Sequence, residues 1–125
     1  MSVILIVEDN EKNMILVRDV LQFKGYQTLE AATGTEGLRL AKEKLPDVVL
    51  MDIQLPDTDG ITVLGKLRAD PMTTKIPVLA VSASVMPDEQ QRIVASGFDA
   101  YITKPINVKS FIETVERFIG KPQGK

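Results

Sequence analysis

The chain contains no cysteine and no histidine. The first absence excludes disulfides, thiolate metal sites and cysteine nucleophiles. The second removes the Ser-His-Asp triad, a His-ligated zinc site and the commonest general base near neutral pH. Chemistry here must run on carboxylates, hydroxyls and lysines. A long Lys/Arg run is also missing, and a net charge of -2 creates no field that would gather nucleic acid, so no direct nucleic-acid partner is expected. The apolar stretch from Val3 to Val7 lacks a basic flank and is too short for a signal or membrane segment. No membrane partner and a cytoplasmic location are therefore expected. What is present, 125 residues of which 44% are hydrophobic, suits one domain over residues 1–120 followed by a polar tail, 121–125.

The organising stretch is Asp47-Val48-Val49-Leu50-Met51-Asp52: a short apolar run bracketed by aspartates, as in a strand buried on both faces. Similar runs occur from Val3 to Val7, Pro77 to Ser82 and Ala100 to Thr103, and a more polar, edge-like one from Tyr26 to Ala31. Helical patterns lie between them. Met14, Val17, Val20, Leu21 and the stem of Lys24 fall near one face of a helix that Gly25 stops. Thr33-x-x-Glu36 is a capping box for a helix running to about Lys44. Ile61, Leu64 and Leu67 mark a third helix that ends at Asp70-Pro71, and Pro87-Asp88-Glu89 opens a fourth that closes at Gly97. Asn107 caps the last, with Val108, Phe111, Ile112, Val115, Phe118 and Ile119 as its stripe and Gly120 and Pro122 as its stop. Strict βα alternation predicts an α/β fold with a doubly wound parallel sheet and right-handed crossovers.

Such a sheet gathers the C-terminal ends of its strands on one edge, so Glu8, Asp9, Asp52, Ser82 and Lys104 are expected to converge. Two like charges about 4 Å apart repel by roughly 4 kcal/mol at an effective dielectric near 20, so an acidic cluster calls for a cation. Glu8, Asp9 and Asp52 are hard oxygen donors of the kind magnesium favours. Asp52 is then a plausible nucleophile toward a phosphoryl group, with Lys104 neutralising the transferring oxygens and Ser82 donating a hydrogen bond to them. Each residue also has a plain structural role open to it: helix start for Glu8 and Asp9, backbone bonding for Ser82, an ion pair for Lys104. Asp57-Thr58-Asp59-Gly60 reads as a turn and helix start rather than a second metal site. A nucleotide or flavin site is disfavoured because the first loop, Glu8-Asp9-Asn10-Glu11, repels phosphate. A haloacid-dehalogenase-type phosphatase generally has a second aspartate two positions after the nucleophile, where this chain has Gln54.

Ile6-Val7-Glu8-Asp9-Asn10, Leu50-Met51-Asp52-Ile53-Gln54-Leu55-Pro56 with Asp59-Gly60, Val81-Ser82-Ala83, and Tyr101-Ile102-Thr103-Lys104-Pro105 occur in that order. Together they resemble the receiver domains of bacterial two-component response regulators, over Val3 to about Ile119. The pattern is similar to single-domain regulators of the DivK type, and the Glu-Asp-Asn opening also occurs in receivers of hybrid kinases.

The resemblance implies a flavodoxin-like five-stranded (βα)5 fold, strand order 2-1-3-4-5, and a phosphorylation-dependent switch. Asp52 would accept phosphate from a sensor histidine kinase or histidine phosphotransfer protein. Magnesium, or manganese in its place, would be held by Asp9, Asp52 and the backbone carbonyl of Gln54, with Glu8 acting through metal-bound water. Ser82 and Tyr101 match the switch pair, Lys104 the phosphate-pairing lysine, and Lys104-Pro105 is expected to be cis. The loop from Ala83 to Pro87 would follow Ser82. The downstream protein target would bind the fourth helix, fifth strand and fifth helix, and the chain would be a monomer or weak dimer. Apart from catalysing its own phosphoryl transfer and autodephosphorylation, it would not be an enzyme; the alternatives are a magnesium-dependent small-molecule phosphatase with an aspartyl-phosphate intermediate, and a degenerate receiver acting only as a binding module.

Overall fold

In the computed structural model, which describes residues 2–83 and 86–120, strands and helices alternate along the chain. They are β1 (Val3–Val7), α1 (Glu11–Phe23), β2 (Gln27–Ala31), α2 (Gly34–Lys44), β3 (Val48–Asp52), α3 (Gly60–Ala69), β4 (Val78–Ser82), α4 (Pro87–Ala95), β5 (Ala100–Thr103) and α5 (Val108–Ile119). The strands form one parallel sheet in the order β2-β1-β3-β4-β5. The expected topology is therefore observed, with β2 and β5 at the edges and β3 in the centre. Every residue of β3 and β4 is buried, which accounts for their apolar sequences up to the terminal Asp52 and Ser82.

The period-two pleat divides the core into two layers. Ile4, Ile6, Val48, Leu50, Leu79, Val81 and Ile102 face α1 and α5, where Leu21, Phe111 and Val115 meet them. Leu5, Val7, Val49, Met51, Val78 and Ala80 face α2, α3 and α4, against Ala41, Val63, Leu64, Leu67 and Ile93. Full burial of a side chain of this size contributes about 1.5–3 kcal/mol, so the two layers fix the strands and hence their C-terminal ends.

Local signals fix the helix starts. Asn10, Thr33, Asp59 and Asn107 each accept a hydrogen bond from the backbone N–H three residues on, as N-caps do. The helix opened by Pro87 has no such side-chain bond; its first turn carries Asp88 and Glu89 instead. Gly25 and Gly97, just past α1 and α4, adopt φ of 101° and 116°, the conformation that stops a helix after its cap.

Three details of the expected stripes are corrected. Lys24 is exposed, because it is the C-cap of α1 and not part of its buried face. On α3 the buried stripe is Val63, Leu64 and Leu67, with Ile61 only partly covered. Val108 is 44% exposed: it opens α5, and side chains lean toward a helix N-terminus, so it projects past the sheet. Within the loop expected to follow Ser82, residues 84 and 85 lie outside the described residues, as do Pro122 and the rest of the tail. Among the described residues, no helix is long and apolar enough to cross a membrane.

Candidate functional site

The pleat places the charged residues. Even-numbered residues of β1 and β3 face α1 and α5, and the register pairs Ile6 with Leu50. Continued by two residues, it brings Glu8 beside Asp52 on that same face. Ile102 of β5 faces the same way, so Lys104, two residues on, does too. The result is a three-membered ion cluster: Lys104 Nζ lies 3.0 Å from Glu8 Oε1 and 3.0 Å from Asp52 Oδ2. Both carboxylates are only 5% exposed.

Backbone donors hold the remaining oxygens. The Asn10 N–H donates to Glu8 Oε2 at 3.0 Å, and the Gln54 N–H donates to Asp52 Oδ1 at 3.1 Å. Burial pushes the Glu8 carboxyl above its ordinary value; the Asn10 N–H and Lys104 pull it down, and the neighbouring Asp52 pushes it further up. For Lys104, burial acts to weaken the ammonium, but hydrogen bonds and charge attraction from Asp52 and Glu8 outweigh it and the pKa is raised. Glu8 is therefore raised chiefly by its own burial, whereas Lys104 is raised because two carboxylates share its ammonium.

Asp9, exposed, adds a third carboxylate. Ligand oxygens of Glu8, Asp9 and Asp52 lie within 4.8 Å of one another, at the mouth of a cleft of about 900 Å³ that Gln54, Ser82 and Lys104 also line. Three hard oxygen donors with a net deficit of positive charge, open to solvent on one side, fit a small divalent cation that keeps part of its water shell. The Gln54 carbonyl is compatible with this donor set. Gln54 and Asp59 form an isolated antiparallel bridge whose hydrogen bonds run from Gly60 N–H to Ile53 O, 2.8 Å, and from Leu55 N–H to Thr58 O, 3.2 Å. That pattern leaves the Gln54 carbonyl outside the ladder.

Ser82 and Tyr101 occupy the other face of the sheet. Ala80 pairs with Tyr101 and Ser82 with Thr103, so Tyr101 sits one pleat repeat behind Ser82. Ser82 is buried, and its carbonyl accepts the Lys104 N–H at 2.9 Å, which ties the β4 and β5 ends together. Tyr101 is half-buried and borders a groove on α4 lined by Pro87, Gln90, Gln91, Val94 and Ala95. The Lys104-Pro105 peptide is cis, as expected.

All the residues expected at the sheet edge thus line one cleft, except Tyr101, which stands behind it. Three contributions went unseen in the sequence. The Asn10 N–H holds Glu8; Lys104 bonds Glu8 as closely as Asp52; and Asp57, expected only in a turn, binds the N-terminus of α2. A carboxylate three residues after Gln54 was the available signal, but it did not say which helix it would reach.

Comparison with known proteins agrees with this fold. The family description "Response regulator receiver domain" matches residues 4–116. The polar-differentiation response regulator DivK of Brucella ovis is 47% identical over 117 residues, 94% of this chain and 95% of that protein. Among solved structures, chemotaxis protein CheY4 of Vibrio cholerae is 27% identical with a TM-score of 0.87, over 94% of this chain and 98% of that one. The receiver domain of sensor histidine kinase PA1611 from Pseudomonas aeruginosa, solved with a magnesium ion coordinated in its active-site cleft, is 28% identical with a TM-score of 0.88, over 96% and 98%.

Proposed function

From the premise that this chain belongs to the response regulator receiver domains, and is a phosphorylation-dependent switch of two-component signalling, we propose that Asp52 is its phosphoacceptor. The observation that carries the assignment is the Asp52 carboxylate itself: buried at the C-terminal end of the central strand, 3.0 Å from Lys104 Nζ and open to the cleft. An Asp52 oxygen attacks phosphorus, the P–N bond of a phosphohistidine donor breaks, and the departing imidazole nitrogen keeps the bonding pair and takes a proton. The donor is a sensor histidine kinase or a histidine phosphotransfer protein.

Glu8, Asp9, Asp52 and the Gln54 carbonyl are the proposed cation ligands, Glu8 through water. Magnesium, the ion reported for the PA1611 receiver, supplies positive charge beside the phosphoryl oxygens when bound. Lys104 orients Asp52 before transfer and pairs with a phosphoryl oxygen afterwards. The new group brings roughly 1.5 to 2 negative charges and strong acceptor oxygens, toward which Ser82 donates its hydroxyl. Tyr101, one pleat repeat behind, then repacks against α4. The α4, β5 and α5 surface is the proposed contact for a downstream protein, the Tyr101 groove being its part nearest the switch pair. The chain supplies catalysis only for its own phosphorylation and dephosphorylation. The phosphatase alternative gains no support, since the relatives named above are regulators and receivers.

The test is acid-labile labelling by a small acyl phosphate donor in magnesium. Asp52→Asn and Asp52→Ala are expected to abolish it; full labelling of either variant would overturn the site assignment.

A further inference from the structure

The Asp57 carboxylate stands at the tip of the hairpin formed by residues 54–59 and spans to another layer of the fold. Its Oδ1 accepts the Gly34 N–H at 2.9 Å, and its Oδ2 accepts both the Thr35 N–H at 3.0 Å and the Thr35 hydroxyl at 2.6 Å. These donors are the first groups of α2, which has its own N-cap in Thr33. Asp57 therefore adds a second, tertiary cap, anionic and placed at the positive end of the helix dipole. Thr35 and the Gly34 and Thr35 amides together hold its carboxyl down at about 2.

The contact is close as well as charged. A Cβ added at Gly34 would overlap Thr58 Cγ2 and lie 2.9 Å from Val63 Cγ2 and 3.4 Å from Leu55 Cδ1. Any side chain at Gly34 would push the Thr58 and Val63 methyls aside, so glycine is what lets the hairpin and α3 settle this close to α2. The other ends of the hairpin are fixed too: Asp59 caps α3 through the Thr62 N–H at 2.7 Å, and the Gln54 N–H donates to Asp52. These three anchors hold the hairpin that carries the Gln54 carbonyl.

We propose that Asp57 is a positioning residue of the cation site: by docking the hairpin on α2 it fixes the Gln54 carbonyl for coordination. The inference rests on the reading of that carbonyl as a ligand. Linkage adds a consequence, because if docking favours the cation, the cation favours docking to the same degree. Magnesium then slows hydrogen exchange at the Gly34 and Thr35 amides, which touch no ligand.

The experiment titrates the chain with magnesium chloride by calorimetry, and follows Gly34 and Thr35 by amide exchange. Asp57→Ala is expected to weaken magnesium binding roughly tenfold, the lower end of the range for groups that orient ligands. Gly34→Ala, which keeps Asp57 but lifts the hairpin, is expected to weaken it as well, and Asp57→Asn, which keeps one acceptor, to fall between. Asp9→Ala is the control. Binding that ignores Asp9→Ala overturns the cation reading and this inference with it. Binding that depends on Asp9 but is the same in Asp57→Ala, with thermal stability alone reduced, overturns the inference and leaves the cation reading standing.

Discussion

Lys104 Nζ lies 3.0 Å from Asp52 Oδ2, joining the loop after the edge strand β5 to the end of the central strand across 52 residues of sequence. The same ammonium lies 3.0 Å from Glu8 Oε1. A buried ion pair with good geometry roughly offsets its own desolvation, but a second carboxylate on the same cation is left under-compensated. The site thus carries an excess of negative charge, which weighs on the cation-free protein and suits a bound cation.

Glu8→Gln should therefore stabilise the cation-free chain. A glutamine oxygen can still accept from Asn10 or Lys104, and its amide turns a repulsive neighbour of Asp52 into a donor. The expected gain is on the order of 1 kcal/mol, or about 4 °C in melting temperature for a domain of this size. Thermal unfolding in a chelator measures it. In millimolar magnesium the gain should shrink, because a cation at the proposed site would stabilise the wild type by binding only its folded state. A variant no more stable than wild type in chelator would count against the charge-excess account.

Arg68→Ala should destabilise the chain by about 2 kcal/mol, the scale of leaving hydrogen-bonding groups without partners. Arg68 Nη1 donates to the carbonyls of Thr74 and Ile76 at 2.9 and 2.7 Å, while Nη2 pairs with Asp99 Oδ2 at 2.9 Å. That carboxylate oxygen also accepts the Val78 N–H at 2.8 Å, so one guanidinium ties α3, the loop before β4 and the turn before β5. Arg68→Lys should recover only part of the loss, because a point charge cannot replace the planar fork. Urea unfolding of the three proteins checks the order.

Arg68 shows what the sequence withheld. The topology was legible because apolar runs of strand length alternate with helical stripes, and that topology alone brings Glu8, Asp52, Ser82 and Lys104 to one edge. The caps Thr33 and Asn107 were legible because a cap and its target lie three residues apart. Arg68, Asp57 and the Glu8–Lys104 pair were not, since each joins groups whose adjacency depends on how far a loop reaches. The stripe of α3 misled for a smaller reason. In a helix of ten residues, Ile61-Leu64-Leu67 and Val63-Leu64-Leu67 both make a face, and the sheet below decides between them.

The stability linked to Asp57 should vanish in acid over a defined window. Its ordinary carboxyl value is 3.8, and the Thr35 hydroxyl, the Gly34 N–H and the Thr35 N–H lower it to about 2 in the folded chain. A depressed folded pKa means that the unfolded chain binds the proton more readily. The carboxylate's contribution is then full above about pH 5 and is lost as pH falls through 3.8 toward 2. Asp57→Asn cannot titrate, so the difference in unfolding free energy between wild type and variant should be flat from neutral pH to about pH 5 and should shrink below it. Subtracting the two urea-unfolding series cancels the other carboxylates that protonate in the same range. Thr35→Val removes the largest of the three interactions and should move the Asp57 carboxyl back toward 3.8, as a side-chain carbon titration by NMR would record. A difference curve that stays flat down to pH 2, or an Asp57 titration unmoved by Thr35→Val, would mean that the carboxylate does not hold the hairpin on α2.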